Sequence, residues 1–507
     1  MNTRVRFLAL LMVILPLLAA ASVEGAQPAD ELQVVSPSLS SERQANAAVS
    51  FIEEKLAFDS GDVELAGSLL LPAGSEGPFP AVVMLHGAGP DTREVFWRTG
   101  DAETFLQAGL AVFIYDKRGT GQSAGDWQTA SIEDLAEDAL AAVRLVRQQP
   151  NIRPDQVGLF GVSQGGRLTP TAAAGSDEVA FLINVTGAAI PFGVQEMWGA
   201  GNALADLGYD ERDIATTMKV MHLLFSARPL IQSGVLPLDG LYIWFDALDP
   251  YQDPAATWAQ VDQPAFVAYG SLDGTVPAPE STAVVQDAFS QGGNPLSRMV
   301  IYPEAGHGIR LSSGQWAPGH IETMTAWLQA TLAGEATPKM SYDPASIETG
   351  SNHWYGLAQA TTPWYASAGF QGSLIFLFIV AFVVALVAGL SPKTDLKLES
   401  YGRWPRLTLV AAGLLNIVLM AGLLNIIAYL AFADANNAGP DIPLAGLLAV
   451  LAWLSLLLTA GLVFFAVRAS RRVAWSRLTR AVYGLVAVAA VIFVGFLAYW
   501  NVLTFPL

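Results

Sequence analysis

The 507-residue chain is long enough for two or more domains, and its 14% of charged residues is well below the roughly 25% of an ordinary soluble domain. The shortage is uneven, because residues 391–507 carry nine Lys and Arg against four Asp and Glu, whereas residues 1–390 carry 18 against 41. The acidic front argues against nucleic-acid binding, and the lack of cysteine excludes disulfides, thiolate metal sites and a cysteine nucleophile. Because no cysteine is present to carry a lipid, any membrane anchor must be made of helices.

Residues 1–26 have the three-part pattern of a secretory signal sequence. Arg4 and Arg6 precede an apolar run at 7–18, and small residues at 19–21 give an A-x-A arrangement. An uncleaved first membrane helix is the alternative, although the run is short for a span of about 20 residues. Both interpretations export the residues that follow, and cleavage of the signal stays open.

Residues 27–50 are polar and are interpreted as a linker, whereas residues 51–335 alternate β-rich runs with amphipathic stretches. This alternation predicts a mostly parallel sheet covered by helices. Several runs are apolar at consecutive positions, as in strands buried on both faces. Residues 132–147 have the clearest helical periodicity. The predicted strands are 65–71, 81–85, 111–115, 157–160, 181–185, 265–269 and 299–302.

The alternation lapses at about residues 191–264, which predicts a helical cap inserted into the sheet domain. Residues 336–368 form a second polar linker, and residues 369–507 form a transmembrane region. Its four apolar segments each reach the length of about 20 residues that a bilayer requires. Asn416 and Asn425, inside the second, are expected to form hydrogen bonds between helices rather than to line a site. The four predicted spans are about 369–390, 407–432, 443–467 and 481–504.

The charges of the links between the spans predict their orientation. The first and third links are rich in Lys and Arg, and the middle link, 433–442, has two Asp and no positive charge. By the positive-inside rule the first and third links are cytoplasmic, so residues 27–368 lie outside. The signal sequence predicts the same side. The positive residues are Lys393, Lys397, Arg403, Arg406, Arg468, Arg471, Arg472, Arg477 and Arg480.

The strongest local motif is Gly-Val-Ser-Gln-Gly at residues 161–165. It directly follows the predicted strand 157–160 and precedes a stretch that can be helical, which is the context of a nucleophile elbow. On so sharp a turn, glycines two before and two after the serine let the strand and helix approach closely. Ser163 is therefore the predicted nucleophile.

A serine hydroxyl needs a base, and the base needs an orienting acid. His307 follows the last predicted strand on a glycine-flanked loop, and we predict that it is the base. Asp273, after strand 265–269, is the predicted acid, and Asp262 and Glu304 are its rivals. The order Ser163, Asp273, His307 is the order that this type of site has along the chain.

A developing oxyanion needs two preorganised N–H donors. The backbone of Gln164, directly after the nucleophile, is one candidate. The other lies in the glycine-rich loop at 86–89, where Ala88 is the predicted donor. His86 is interpreted as a brace for that loop and not as a base.

Five motifs carry a resemblance that covers residues 65–335. They are L-H-G-A-G-P, Y-D-K-R-G-T-G-Q-S-A-G-D-W, G-V-S-Q-G, G-S-L-D-G-T-V-P and G-H-G. This set resembles the α/β-hydrolase superfamily, in particular dienelactone-hydrolase-like, acyl-thioesterase-like and S9-peptidase-like members. The expected fold class is therefore α/β, with the α/β-hydrolase fold, a helical cap and a C-terminal four-helix transmembrane region. The expected chemistry requires no cofactor and no metal.

Three functions stay open at this point. The first is an ester or thioester hydrolase that forms an acyl-enzyme and takes a small-molecule, acyl or lipophilic substrate beside the lipid bilayer. The second is an S9-like peptidase with the same triad, in which Glu196 of the cap is a candidate for reading a peptide terminus. The third is a membrane sensor or assembly protein whose domain only binds. No protein partner is readable from the sequence.

Overall fold

A computed structural model describes residues 49–232, 250–291, 296–335, 358, 363–398, 400–432, 445–470 and 475–504. The predicted signal sequence, nearly all of the first linker, most of the second linker and part of the cap lie outside the described residues. The chain divides into two compact units. The described residues of the sheet unit fall within 37–203 and 228–361, and those of the helical unit within 204–227 and 362–507.

The sheet unit is built on one eight-stranded sheet with the order β1-β2-β4-β3-β5-β6-β7-β8. Strand β2 is antiparallel to both of its neighbours, and all pairs from β4 to β8 are parallel. The strands are β1 Phe51–Ser60, β2 Val63–Pro72, β3 Phe79–Leu85, β4 Ala111–Tyr115, β5 Ile152–Val162, β6 Leu182–Val185, β7 Ala265–Gly270 and β8 Arg298–Tyr302. The central strands are buried along their length, as expected for a sheet that helices cover.

Nine helices of the described chain precede the transmembrane region. They are α1 Val95–Arg98, α2 Asp101–Gln107, α3 Ile132–Arg147, α4 Gln164–Ala173, α5 Phe192–Asp206, α6 Glu211–Gln232, α7 Ala255–Trp258, α8 Ala278–Gln291 and α9 His320–Leu332. Helix α3 has the predicted bounds, since Ser131 caps it by accepting a hydrogen bond from Asp134 N. This α/β architecture confirms the predicted fold class.

Strand β1 is absent from the predicted set, although the other seven strands are confirmed. It lies at the edge of the sheet, and among the described strands it pairs with β2 alone. One face is open, so that Ile52 is 56% exposed, and a charged run at residues 53–55 interrupts the apolar residues. An edge strand of this kind lacks the continuous apolar run by which the buried strands were recognised.

The helical unit contains four helices that are long and apolar enough to cross a membrane, so the chain is a membrane protein. They are α10 Ala368–Leu390, α11 Trp404–Phe432, α12 Ala445–Ser470 and α13 Arg477–Tyr499. Each packs against the next, and α10 also packs against α13. Helix α13 begins before the predicted residue 481 because Ser476 caps it by accepting a hydrogen bond from Thr479 N.

Polar side chains join the spanning helices to one another. Ser455 Oγ of α12 donates to Asn416 Oδ1 of α11 at 2.5 Å, the interhelical hydrogen bond predicted for Asn416. At one end of the bundle, Trp500 Nε1 donates to Gln371 Oε1 at 3.1 Å. Trp500 is 1% exposed, so this ring packs inside the bundle and not at its surface.

Residues 204–227 of the predicted cap, which include most of α6, pack in the helical unit. Val220 is 1% exposed within the apolar core of the spanning helices. Lys219 Nζ donates to Tyr499 O at 2.5 Å and to Asn501 Oδ1 at 3.2 Å. Asn501 Nδ2 in turn donates to Thr216 Oγ1 at 2.7 Å. Helix α6 is thus a fifth element of the helical unit.

Candidate active site

Ser163 stands at the turn between β5 and α4, in a backbone conformation that side chains rarely adopt. Its φ is 58° and its ψ is −119°, and its N–H donates to Val185 O at 2.9 Å. Such strain costs about 1–3 kcal/mol and persists only where the surrounding structure enforces it. The strained turn leaves the serine half-buried at the end of the strand.

The two glycines of the motif are required by close packing of the backbone. A Cβ at Gly161 would lie 2.1 Å from Gly165 O, and a Cβ at Gly165 would lie 2.2 Å from Leu85 O. Both distances are far below a van der Waals contact. The strand, the turn and the neighbouring loop can therefore approach one another only with glycine at these positions.

His307 and Asp273 are joined by a hydrogen bond. His307 Nδ1 lies 2.9 Å from Asp273 Oδ2 and 3.1 Å from Oδ1. Asp273 is 4% exposed, and its Oδ1 also accepts hydrogen bonds from the backbone N–H groups of Thr275 and Val276. The carboxylate is thus held in place by the backbone and fixes the orientation of the ring.

Asp273 is the one of the three carboxylates considered that is hydrogen-bonded to His307. Glu304 and Asp262 are both exposed in the structure. Glu304 has a φ of 58°, and its backbone N–H donates to Ser271 Oγ at 3.0 Å. The site therefore brings together the two residues that the sequence paired.

The loop of His307 approaches the turn of Ser163. A Cβ at Gly308 would lie 3.9 Å from Val162 Cγ1, and Gly308 N donates to Thr186 Oγ1 at 3.3 Å. Val162 and Thr186 lie next to Ser163 and to the carbonyl that Ser163 N–H contacts. The histidine loop thus lies beside the strand ends that precede and support the nucleophile turn.

Ser163 lines a cavity of about 270 Å³. Gln164 and Ala88, the predicted oxyanion donors, line the same cavity. Within the described backbone, neither of their N–H groups is hydrogen-bonded to a carbonyl oxygen.

Two family models match this part of the chain in succession. The model of the X-Pro dipeptidyl-peptidase (S15) family matches residues 60–222, and that of the prolyl oligopeptidase family matches residues 232–335. Together they cover residues 60–335 except 223–231, and they end where the second linker begins. The sheet domain is an α/β hydrolase.

Three curated relatives are each identical to this chain at about a third of the positions in a stretch of 117–128 residues. A thiohydrolase, aneE, of Aspergillus aculeatus is 37% identical over 125 residues, which are 24% of this chain and 37% of the relative. The quorum-quenching protein AidA of Acinetobacter baumannii is 34% identical over 128 residues, 25% of this chain and 41% of the relative. The esterase EstD of Thermotoga maritima is 35% identical over 117 residues, 22% of this chain and 27% of the relative. The chain thus spans less than half the length of each.

Two half-buried side chains of opposite charge line the cavity and are linked through Gln195. The two are Arg167 of α4 and Glu196 of α5. Arg167 donates to Ile190 O at 2.8 Å and to Gln195 Oε1 at 3.3 Å, and Gln195 Nε2 donates to Glu196 Oε1 at 3.1 Å. Burial raises the pKa of Glu196 to about 7, against the opposing charges of Arg167 and His307.

Arg167 was not recognised from the sequence. It lies four residues after Ser163, which places it one helical turn further along α4, and this spacing was the available signal. Burial lowers its pKa to about 10, a value at which it is still charged at neutral pH. Glu196 was noted only as a candidate.

Two further histidines of the hydrolase domain are structural. His86 is 2% exposed and packs against Phe96 and Tyr115, and burial lowers its pKa to about 3. His320 is 1% exposed, and burial lowers its pKa to about 4. Both rings are therefore neutral at physiological pH, which agrees with the interpretation of His86 as a brace. Among the described residues, no cluster of three or more His, Asp or Glu side chains could hold a metal ion.

Proposed function

We propose that this protein is a membrane-bound serine hydrolase that cleaves a carboxylic ester or thioester through an acyl-enzyme. The observation that carries the proposal is the bonded pair of His307 and Asp273 beside the strained turn of Ser163. A pair of this kind makes a serine hydroxyl nucleophilic at neutral pH.

In the proposed reaction, Ser163 Oγ attacks the substrate carbonyl carbon while His307 Nε2 takes its proton. The negative charge on the carbonyl oxygen is held by the N–H groups of Gln164 and Ala88. The bond to the leaving group then breaks, and the alcohol or thiol leaves with the proton from His307. Water repeats the sequence on the acyl-enzyme and restores Ser163.

The names of the relatives support an oxygen or sulfur leaving group, because one is a thiohydrolase and another an esterase. A cavity of about 270 Å³ is suited to a small molecule. Apolar wall residues, among them Ile132, Phe192 and Val276, favour an acyl or otherwise lipophilic substrate.

The test uses the full chain in detergent with a series of acyl nitrophenyl esters and a fluorophosphonate probe. Wild type is expected to turn over esters and to be labelled, and Ser163→Ala to lose both. Ser290→Ala, at an exposed serine of α8, is the matched control and should behave as wild type. A wild-type chain that neither reacts with the probe nor hydrolyses any ester would instead favour a binding module.

A peptidase with the same triad is the second candidate, and Glu196 is the observation that favours it. Its carboxylate lines the cavity, where it can accept the ammonium group of a peptide N-terminus. The two matching family descriptions are both of peptidases. Aminoacyl nitroanilides run beside the esters separate the two candidates, since a peptidase prefers the anilides and loses that preference in Glu196→Gln.

We also propose that the hydrolase domain lies on the extracytoplasmic side. The support is the positive charge of the first and third links between the spans. The chain has no cysteine, so single cysteines can be introduced without further changes. In intact cells a membrane-impermeant maleimide should label Ser290→Cys but not Ser400→Cys, which lies in the first link. The opposite pattern would reverse the orientation.

A further inference from the structure

Lys117 is a buried lysine that contacts both parts of the proposed oxyanion site. It is 2% exposed. Its Nζ donates to Gly87 O at 2.5 Å, to Gly89 O at 2.7 Å and to Gln164 Oε1 at 3.3 Å. These acceptors flank the backbone N–H groups of Ala88 and Gln164. One ammonium group thus joins the glycine-rich loop to the residue after the nucleophile.

The bond to Gly87 O bears directly on the Ala88 N–H, because both groups belong to the same peptide unit. In a trans peptide the carbonyl oxygen and the amide hydrogen point in opposite directions. An ammonium that holds Gly87 O on one side therefore directs the Ala88 N–H to the other. The positive ammonium group beside the carbonyl oxygen also polarises the amide, which makes its N–H a stronger donor.

The loop needs such a support, since two of its four residues, Gly87 and Gly89, are glycines. Gly89 has a φ of 104°, a conformation that other residues rarely adopt, and glycine has the largest backbone freedom to lose. Oxyanion donors act only when held within about 0.5 Å of their position. The two carbonyls on either side of Ala88 are the groups that Lys117 fixes.

The backbone of Lys117 is itself anchored. Its carbonyl oxygen accepts hydrogen bonds from Thr120 N at 2.9 Å and Thr120 Oγ1 at 2.8 Å. The preceding Asp116 is held by Arg93, whose Nη2 lies 2.7 Å from Asp116 Oδ2. The ammonium therefore projects from a rigid turn and not from a mobile loop.

We infer that Lys117 is a positioning residue that orients the Ala88 peptide and thereby sets the strength of the oxyanion site. The inference rests on the proposed hydrolase function. It assigns a role to the lysine of the Tyr-Asp-Lys-Arg-Gly segment, which is part of one of the five sequence motifs. Lys117 does not touch the substrate, and it acts through the N–H of Ala88.

The test measures ester hydrolysis by the full chain in detergent, with active sites counted by fluorophosphonate titration. In Lys117→Met, kcat per titrated site is expected to fall about 10- to 100-fold, since loss of a whole oxyanion donor costs about 100- to 1,000-fold. KM should stay within about twofold of wild type. A trifluoromethyl ketone, which forms a tetrahedral adduct with the serine, should bind more weakly by the same factor as kcat falls.

Lys117→Arg keeps the charge and the donors and should recover part of the lost kcat. Lys55→Met, at an exposed position of β1, is the matched control and should equal wild type. If Lys117→Met does not fold, Lys117→Arg carries the test through the same parallel change of kcat and inhibitor affinity. An unchanged kcat per site, or a change confined to KM, would overturn the inference. Absence of turnover in wild type would overturn the proposed function instead.

Discussion

The Asp273 carboxylate receives His307 Nδ1 at 2.9 Å on one oxygen and two backbone N–H groups on the other. A carboxylate without a proton can only accept, so the bond to Nδ1 requires the ring hydrogen to lie on Nδ1. An ionised partner at Nδ1 keeps the proton there and leaves the lone pair on Nε2. The arrangement therefore selects the ring tautomer that can accept a proton from an alcohol.

Asp273→Asn is expected to lower the kcat for ester hydrolysis by about 10,000-fold, because an amide at this position favours the wrong tautomer of His307. The measurement is steady-state hydrolysis with normalisation to folded protein. Asp262→Asn, at an exposed carboxylate, serves as control and should stay within about twofold of wild type. Similar losses in both variants would contradict the assignment of Asp273.

The pH dependence of KM for a cationic substrate tests the role of Glu196. Its pKa of about 7 lies above the ordinary value of 4.5, so the group is neutral at pH 6 and ionised at pH 8. Binding of an amine-bearing ester should therefore tighten as the pH rises through 7, and KM should fall. Glu196→Gln should remove this dependence while a neutral ester retains its KM. An identical KM profile for both esters in wild type would refute the role.

Lys117 predicts a second pH effect, in the alkaline range. Burial lowers the pKa of Lys117 to about 8, and the negative charge of Asp91 opposes that shift. Asp116 and the buried His86 are other titratable groups close to it. The ammonium is charged below pH 8 and neutral above it, so kcat should fall as the pH rises through 8. Lys117→Arg, which stays charged, should retain its kcat to higher pH. A wild-type kcat that is constant from pH 7 to 9.5 would contradict this.

Gly165→Ala should destabilise the hydrolase domain by about 3 kcal/mol or more, since its Cβ would meet Leu85 O at 2.2 Å. The expected readout is a lower melting temperature or no folded protein. Gly274→Ala is the control, because no heavy atom lies within 4 Å of a Cβ at that position. Equal stability of the two variants would mean that the turn can relax.

Asn501→Gly should weaken the attachment of α6 in the helical unit. It removes the bond to Thr216 Oγ1 and an acceptor of Lys219, and glycine tolerates the φ of 59° at this position. The loss of stability should be about 1–3 kcal/mol, measured by thermal unfolding in detergent. Asn151→Gly, at an exposed position of the sheet unit, is the control. No change in the melting temperature would show that the apolar contacts of Val220 suffice.

The interior of the sheet was predictable because its strands are apolar at consecutive positions, and their number and order identify the fold. The edge strand β1 was not, since its residues 53–55 are charged and one face is open. Asp273 and His307 could be paired because each follows a strand end, and parallel strands end at a common edge. The triad roles themselves are proposals that the experiments above address.

Lys117 and α6 show what sequence patterns do not contain. Lys117 contacts carbonyl groups 28 and 30 residues away, and no periodicity connects them. The apolar pattern of α6 predicts that the helix is buried, and we interpreted it as packing within a cap. Such a pattern does not identify the apolar surface that the helix packs against. Val220 instead packs with the spanning helices, more than 140 residues further along the chain.

The bond between Lys219 and the carbonyl of Tyr499 has a practical consequence for obtaining this enzyme. Cutting the chain in the second linker to make a water-soluble fragment would strip α6 of its partners. Val220, Leu223 and Leu224 would then face water, and Lys219 would lose its acceptors. Such a fragment would carry an adhesive apolar stripe and would aggregate, so purification should retain the C-terminal region and a detergent or lipid nanodisc throughout.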